Sequence, residues 1–171
     1  AIVWCAIDRE EEMFYIYDCY RASKASPAVH SEVIRGRPHF IPIVYPHDGN
    51  RRDSMGNPGL ADQYRNLGCN FLLEHFTNPP ALGNNKGSNS VEEGIMALLQ
   101  AMEGGKFKVF STLGDWFEEF RMYHRKQNKV VPFRDDLMSA TRYAFQSQRH
   151  SVAGKDPTWT QDVEYRNYGI I

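Results

Sequence analysis

Two acidic segments, far apart in the chain, carry the residues best suited to chemistry. Asp48 lies in a His-Asp-Gly sequence after the apolar run from Phe40 to Tyr45, and Asp135 and Asp136 precede an amphipathic stretch. The β-branched and aromatic run predicts a buried strand with Asp48 just past its carboxyl end, where open α/β sheets bind ligands. Helical spacing of apolar residues places the second pair in the first turn of a helix. If the segments converge, their oxygens suit Mg²⁺ or Mn²⁺, and a two-metal site could hydrolyse a phosphodiester.

Each acidic segment also has a purely structural interpretation. An Asp-Gly pair after a strand is common in turns, and aspartate at the start of a helix is a common cap. The local sequence leaves both interpretations open.

Composition and charge limit the class of protein. The chain has 171 residues, 42% of them hydrophobic, which predicts one globular domain with a sizeable core. The net charge of −1 provides no overall basic field, so contacts to DNA would have to come from local clusters. Arg51 and Arg52 form the most interesting cluster because they follow Asp48 so closely. The alternative for such pairs is an ordinary solvated surface.

Several other kinds of site have no support in the sequence. The three cysteines include no CxxC pair, and the histidines are not spaced with them as zinc ligands, so reduced intracellular conditions are expected. A glycine-rich stretch at 83–88 lacks the order of a phosphate-binding loop, and no G-x-S-x-G sequence is present. With no signal peptide and no stretch of 18 apolar residues, we expect no membrane association.

Strands and helices are predicted to alternate along residues 1–150, with 151–171 as a polar tail. The prediction starts with a hairpin of strands 1–7 and 13–20 and a helix that Ser26 and Pro27 open. The remaining predicted elements are a strand into Asp48, a helix over 59–67, a strand over 69–73, a mobile loop over 78–89, a helix after the Ser90 capping box, a strand over 106–110, a helix over 113–124 with an aromatic face, an extended piece at 130–131 and the helix after Asp135.

A series of short segments, in order along residues 1 to about 145, gives a resemblance to a known family. The chain resembles the nuclease domain of the large terminase subunit of tailed bacteriophages, of the podovirus, P22-like type. The segments that carry the resemblance are 17–21, 27–30, 43–49, 56–68, 91–95, 105–110, 116–126 and 135–144.

The resemblance implies an α/β fold of the RNase H-like type, with a mixed central β-sheet flanked by helices and an acidic cluster on two divalent metals. Asp48 matches the family's second acidic position, and Asp135 and Asp136 match the last, with Asp135 the preferred ligand. The family's first carboxylate lies in an Asp-x-Gly sequence on a strand ahead of the run that begins here at Ala1. Asp8 and Asp18, the early aspartates, fit turn or strand-end positions better.

The resemblance also implies a biological role. Such enzymes cut concatemeric viral DNA when packaging begins and when the head is full, while an ATPase domain of the same polypeptide drives translocation. The implied partners are double-stranded viral DNA, the portal protein and the small terminase subunit, and the place is the host cytoplasm at the procapsid portal. A catalytically silent module that binds DNA or the portal is the alternative, and a Holliday-junction resolvase of the same fold ranks last.

Overall fold

The hairpin at the start of the chain builds one side of a mixed sheet. A computed structural model describes residues 1–52, 54–80, 86–127 and 129–153. Strands β1 (Ile2–Asp8) and β2 (Met13–Tyr20) pair in antiparallel fashion, and β2 pairs in parallel with β3 (Phe107–Val109). The order is β1-β2-β3, so β1 is an edge strand within the described residues. The predicted hairpin and the mixed sheet are confirmed.

Helices flank this sheet, as expected for the fold class. They are α1 (Pro27–Arg35), α2 (Leu60–Asn66), α3 (Val91–Glu103), α4 (Gly114–Met122) and α5 (Asp136–Gln146). Two 3₁₀ turns cover His47–Asn50 and Gln148–His150, and a small ribbon joins β4 (Arg125–Lys126) to β5 (Lys129–Val130). Within the described residues, no helix has the length and apolar character needed to cross a bilayer.

The core lies where α4 and α5 pack against the sheet. Its buried members come from β2, β3, both helices and the N-cap position of α4, and they are Phe14, Ile16, Phe107, Leu113, Trp116, Leu137 and Met138. Side chains alternate between the two faces of β2, so Phe14 and Ile16 point to the same face, which α5 covers. The aromatic face predicted for α4 belongs to the core only in part, because Trp116 is 2% exposed whereas Phe120 is 43% exposed.

A buried polar contact also joins α4 to α5. The indole Nε1 of Trp116 donates to Oγ1 of Thr141 at 2.9 Å, and the Thr141 hydroxyl donates to the carbonyl of Leu137 at 2.7 Å. Both side chains lie out of water, so the bond satisfies an indole N–H that would otherwise be buried without a partner. This contact fixes the position of α5 along α4.

The strands predicted on either side of α2 are less regular than expected. Ile43 and Phe71 form a single parallel bridge, and the flanking residues are extended without ladder pairing. Pro42 and Pro46 have no N–H to donate, which interrupts a ladder at both sides of Ile43. The prediction of a buried strand over 40–45 is thus wrong in extent, because Phe40 is exposed although Tyr45 is buried.

The loop after residue 78 is anchored at both of its described ends. The Asn78 N–H donates to the Ser88 carbonyl at 2.7 Å, and its side-chain amide donates to the Ser90 carbonyl at 2.8 Å. Ser90 caps α3 by accepting from the N–H of Glu93, as predicted. The predicted loop over 78–89 is thus hydrogen-bonded at its described ends, while 81–85 lie outside the described residues, as do 154–171 of the predicted tail.

Candidate functional site

Asp48 lies in an exposed turn that close packing fixes in place. The turn is the 3₁₀ segment His47–Asn50, which follows Pro46. Gly49 is buried beneath the ring of Tyr45, and a Cβ on Gly49 would lie 2.7 Å from Cδ2 of that ring. Glycine is thus required next to Asp48 for a steric reason, while the Asp48 side chain remains in solvent.

Hydrogen bonds hold Tyr45 itself. Its hydroxyl oxygen lies 2.9 Å from Oδ1 of Asn50 and 3.0 Å from the carbonyl of Leu73, and it accepts from Nη2 of Arg65 at 2.8 Å. Arg65 is in turn held by Asp62 at 2.6 Å. The backbone of Asn50 is pressed against Gly59, whose Cβ would come within 2.8 Å of it. Local sequence reasoning missed this network, although Gly59 and Arg65 belong to the segments that carry the resemblance.

The second pair of aspartates lies at the start of α5. Asp135 is the half-buried residue before the helix, and Asp136 is its exposed first residue. Asp135 occupies the N-cap position, but its side chain makes no capping bond. The N–H of Met138 instead donates to Oε1 of Glu119 from α4 at 2.9 Å. The carboxylates of Asp48, Asp135 and Asp136 thus have no hydrogen bond or ion pair to any residue that the structure describes.

Tyr123 has charged neighbours that include Asp135. Burial raises the pKa of Tyr123, Arg142 lowers it and Asp135 raises it, so both charges act on the Tyr123 hydroxyl. Arg142 is buried, with its guanidinium 4.5 Å from the centre of the Tyr143 ring. It lies against α3 at Gly94, where a Cβ would come 2.6 Å from its Cγ. The face of α5 that carries Asp135 is therefore closely packed.

Aromatic contacts connect α5 to the segment that leads to Asp48. The rings of Tyr143 and Phe76 lie 4.6 Å apart, and the N–H of Phe76 donates to the carbonyl of Tyr45 at 2.7 Å. Asp135 lies eight residues before Tyr143, which is about 12 Å along a helix axis. This contact is made by the C-terminal half of α5, and it orients the helix relative to the Asp48 turn.

A metal site requires more than the chemistry of the donors. The three aspartates supply unengaged carboxylate oxygens, the donor type that Mg²⁺ and Mn²⁺ prefer. In the part of the chain that the structure describes, however, no group of three or more His, Cys, Asp or Glu side chains is placed to hold a metal ion. The donor chemistry fits such an ion, and convergence of the aspartates stays a prediction.

Arg51 and Arg52 follow the Asp48 turn on the exposed surface. The N–H of Arg51 donates to the carbonyl of Asp48 at 2.9 Å, which attaches the pair to the turn. Arg37 pairs with Asp18, and Arg125 pairs with Glu92 at 2.5 Å. Within the described ranges, neither Arg51 nor Arg52 has a carboxylate partner, so both are free to meet an anion.

A cavity of about 280 Å³ lies between the edge strand β1 and the segment before Asp48. Trp4 lines it from β1, with the Arg37 guanidinium 4.8 Å above its ring, and Ile41, Ile43 and Cys69 line it from the other side. The two extended parts of the molecule therefore face each other across a largely apolar gap.

Comparisons with known proteins give a matching family and two similar curated proteins. Residues 1–148 match the family described as "Terminase RNaseH-like domain". The chain is 35% identical over 150 residues to the large terminase subunit of Salmonella phage P22, covering 87% of the chain and 29% of that protein. It is 37% identical over 139 residues to the large terminase subunit of Enterobacteria phage LP7, covering 81% and 28%. The chain thus spans under a third of these curated relatives.

A solved structure is also similar. The nuclease domain of the P22 large terminase superposes with a TM-score of 0.74 at 35% identity, and the match covers 86% of this chain and 73% of that domain. The family match over residues 1–148 includes the sheet, its helices and both acidic segments.

Proposed function

The chain belongs to the terminase RNase H-like domain family, and from this membership we propose that it cuts viral DNA as the nuclease domain of a phage terminase large subunit. The RNase H-like fold and 35% identity to the solved P22 nuclease domain support the proposal. The observation that carries the proposal is that the carboxylates of the two acidic segments are held in place but not engaged by the described part of the protein. Fixed turns present Asp48 and Asp135 with carboxylates that have no protein partner within the described residues.

The proposed reaction is metal-dependent hydrolysis of a DNA phosphodiester. Asp48 and Asp135 would hold the metal ions, with Asp136 as a third candidate ligand. Bound Mg²⁺ or Mn²⁺ would supply an activated water molecule and stabilise charge on the leaving 3′ oxygen. The contribution of the chain is to keep the carboxylates in place, through Gly49 and Tyr45 at one segment and through α5 at the other.

DNA would be held mainly through its phosphates. Arg51 and Arg52 are exposed, free of described acidic partners and adjacent to the Asp48 turn, so they suit contacts on either side of a cut. Phosphate contacts position a duplex without reading its bases. We therefore expect weak sequence preference.

The role of the whole polypeptide is part of the same proposal. The substrate would be concatemeric double-stranded viral DNA, cut at the start and end of packaging. The partners would be an ATPase domain of the same polypeptide, the portal protein and the small terminase subunit, at the procapsid portal in the host cytoplasm. The names of the P22 and LP7 relatives support this role.

Replacing Asp48 tests the proposal directly. Asp48→Asn keeps the size of the side chain but removes its charge, so cleavage of plasmid DNA with Mn²⁺ should fall by at least about 100-fold. Asp8→Asn is the matched control, because Asp8 Oδ1 accepts from the N–H groups of Glu10 and Glu11 and asparagine keeps that oxygen. The assay is run on this chain and on any longer polypeptide that contains it. Unchanged cleavage by Asp48→Asn would sink the proposal.

One observation favours a second candidate, a module that binds DNA without cutting it. Among the described residues, no group of three potential ligands is already assembled. DNA binding that depends on Arg51 and Arg52, with no cleavage in Mg²⁺ or Mn²⁺ by any polypeptide containing the chain, would favour this alternative.

A further inference from the structure

Glu119 is a buried carboxylate that the proposed reaction does not use. It projects from α4, its side chain is 0% exposed, and both of its oxygens are engaged. Oε2 accepts from Nη1 of Arg21 at 3.1 Å, and Oε1 accepts from the backbone N–H of Met138 at 2.9 Å. A buried charge persists only where it is paired and hydrogen-bonded, and these two contacts meet that condition.

The contact with Met138 replaces the usual cap of α5. The first N–H groups of a helix have no partner within the helix, and the side chain of the N-cap residue normally accepts from the second or third of them. Met138 is the third residue of α5, and Asp135 at the N-cap position does not bind it. A carboxylate from a neighbouring helix has taken over the bond that Asp135 would otherwise make.

We propose that Glu119 is a positioning residue, which caps α5 from α4 and thereby leaves the carboxylate of Asp135 free for a metal ion. Arg21, at the end of β2, neutralises Glu119 and connects it to the sheet. Glu119 is not a metal ligand, because its oxygens are occupied and out of reach of solvent. The inference rests on the proposed function of Asp135, but its test needs neither metal nor activity.

Glutamate is the side chain that this position requires. Both contacts are made by donors, so both oxygens of the side chain must accept. Glutamine has one acceptor oxygen and would leave either Arg21 or Met138 facing an NH₂ group. Aspartate keeps the charge but is one methylene shorter, so it cannot span both partners. Loss of the bond to Met138 frees the N–H of the third residue of α5, which an N-cap side chain such as that of Asp135 normally binds.

The test is a double-mutant cycle in urea, measured on the metal-free chain. Asp135→Ala should lower the midpoint of unfolding less in the wild type than in a Glu119 variant, because Asp135 makes no capping bond in the wild type. In Glu119→Ala, Asp135 turns back to cap its own helix, so adding Asp135→Ala should lower the midpoint by about 0.5 M, from typical values for a cap and for the urea dependence of a small domain. Glu119→Asp should show the same coupling if Glu119→Ala does not fold.

Glu118→Ala is the matched control. Glu118 precedes Glu119 on α4 and pairs with Arg134 at 2.6 Å and with Arg21 at 3.7 Å, but the N–H of Met138 donates to Glu119. In that background, Asp135→Ala should change the midpoint by the same amount as it does in the wild type. Equal effects of Asp135→Ala in wild type and in the Glu119 variants would overturn the inference. If Asp135→Ala still cleaves DNA, the proposed function is contradicted, but the conclusion about capping from urea unfolding is unaffected.

Discussion

Replacing Gly49 by alanine tests whether packing beneath Asp48 holds that carboxylate in position. The new Cβ would lie 2.7 Å from Cδ2 of Tyr45, whereas ordinary van der Waals contact begins near 3.4 Å. The turn or the ring must therefore move by about 0.7 Å. Tyr45 resists movement because its hydroxyl is bonded to Arg65. Overpacking of this kind typically costs about 1–3 kcal/mol of folding free energy.

The same movement should affect catalysis. A displacement of about 1 Å in a catalytic group can lower the rate by about 100-fold. We therefore expect Gly49→Ala to reduce Mn²⁺-dependent DNA cleavage by about 10- to 100-fold. Both effects can be measured on the same preparation, by urea denaturation and by a nicking assay on plasmid DNA.

Gly114→Ala is the control for this experiment. Gly114 opens α4, and a Cβ there would meet nothing within 4 Å. Alanine should leave cleavage unchanged and raise stability slightly, by about 0.4–1 kcal/mol. If Gly49→Ala behaves like Gly114→Ala in both assays, the packing argument for the Asp48 turn is refuted.

Three further predictions concern the α4–α5 contact, the basic pair and a buried thiol. Thr141→Val should leave the Trp116 indole N–H buried without a partner and cost about 1–3 kcal/mol in urea denaturation, whereas Thr141→Ser should cost less. Arg51→Ala and Arg52→Ala should each weaken DNA binding and reduce the slope of log K against log salt by about 0.9, without changing base preference. Burial raises the pKa of Cys5 to about 11 from 9.0, so its alkylation at pH 8 should be about 100-fold slower than that of an unstructured cysteine. Because the folded state favours the neutral thiol, its contribution to stability is complete below pH 9 and is lost as the pH rises towards 11, and Cys5→Ala should abolish that loss.

The elements that the sequence predicts well depend on local patterns. The hairpin of β1 and β2 follows from two apolar runs around a charged turn, and α1 follows from Ser26 and Pro27 at its start. The stretch before Asp48 has a strand's composition but little of its pairing, because its partner segment provides only one bridge, at Phe71. Composition reports how well a residue suits a strand and not whether a partner is present.

In the candidate site, too, residues with a local sequence signal can be predicted, whereas residues that act through long-range contacts cannot. Asp48 and Asp135 can be selected as candidates because each lies next to a local structural signal, a strand end or a helix start, but only the family resemblance favours a catalytic interpretation. Glu119 carries no such signal, since it acts on a turn of α5 that lies 19 residues away and on Arg21, 98 residues away. In the sequence, Glu119 cannot be distinguished from its more exposed neighbour Glu118, because both are glutamates on the same helix. Long-range contacts of this kind can be read only from the fold.

The open edge of β1 has a consequence for handling the molecule in solution. Within the described residues, β1 pairs only with β2, so its other side carries a row of backbone donors and acceptors without a neighbouring strand. Such an edge is a template for another extended chain. We therefore expect concentrated solutions of the chain to self-associate edge to edge, with a particle size that increases with concentration in light scattering.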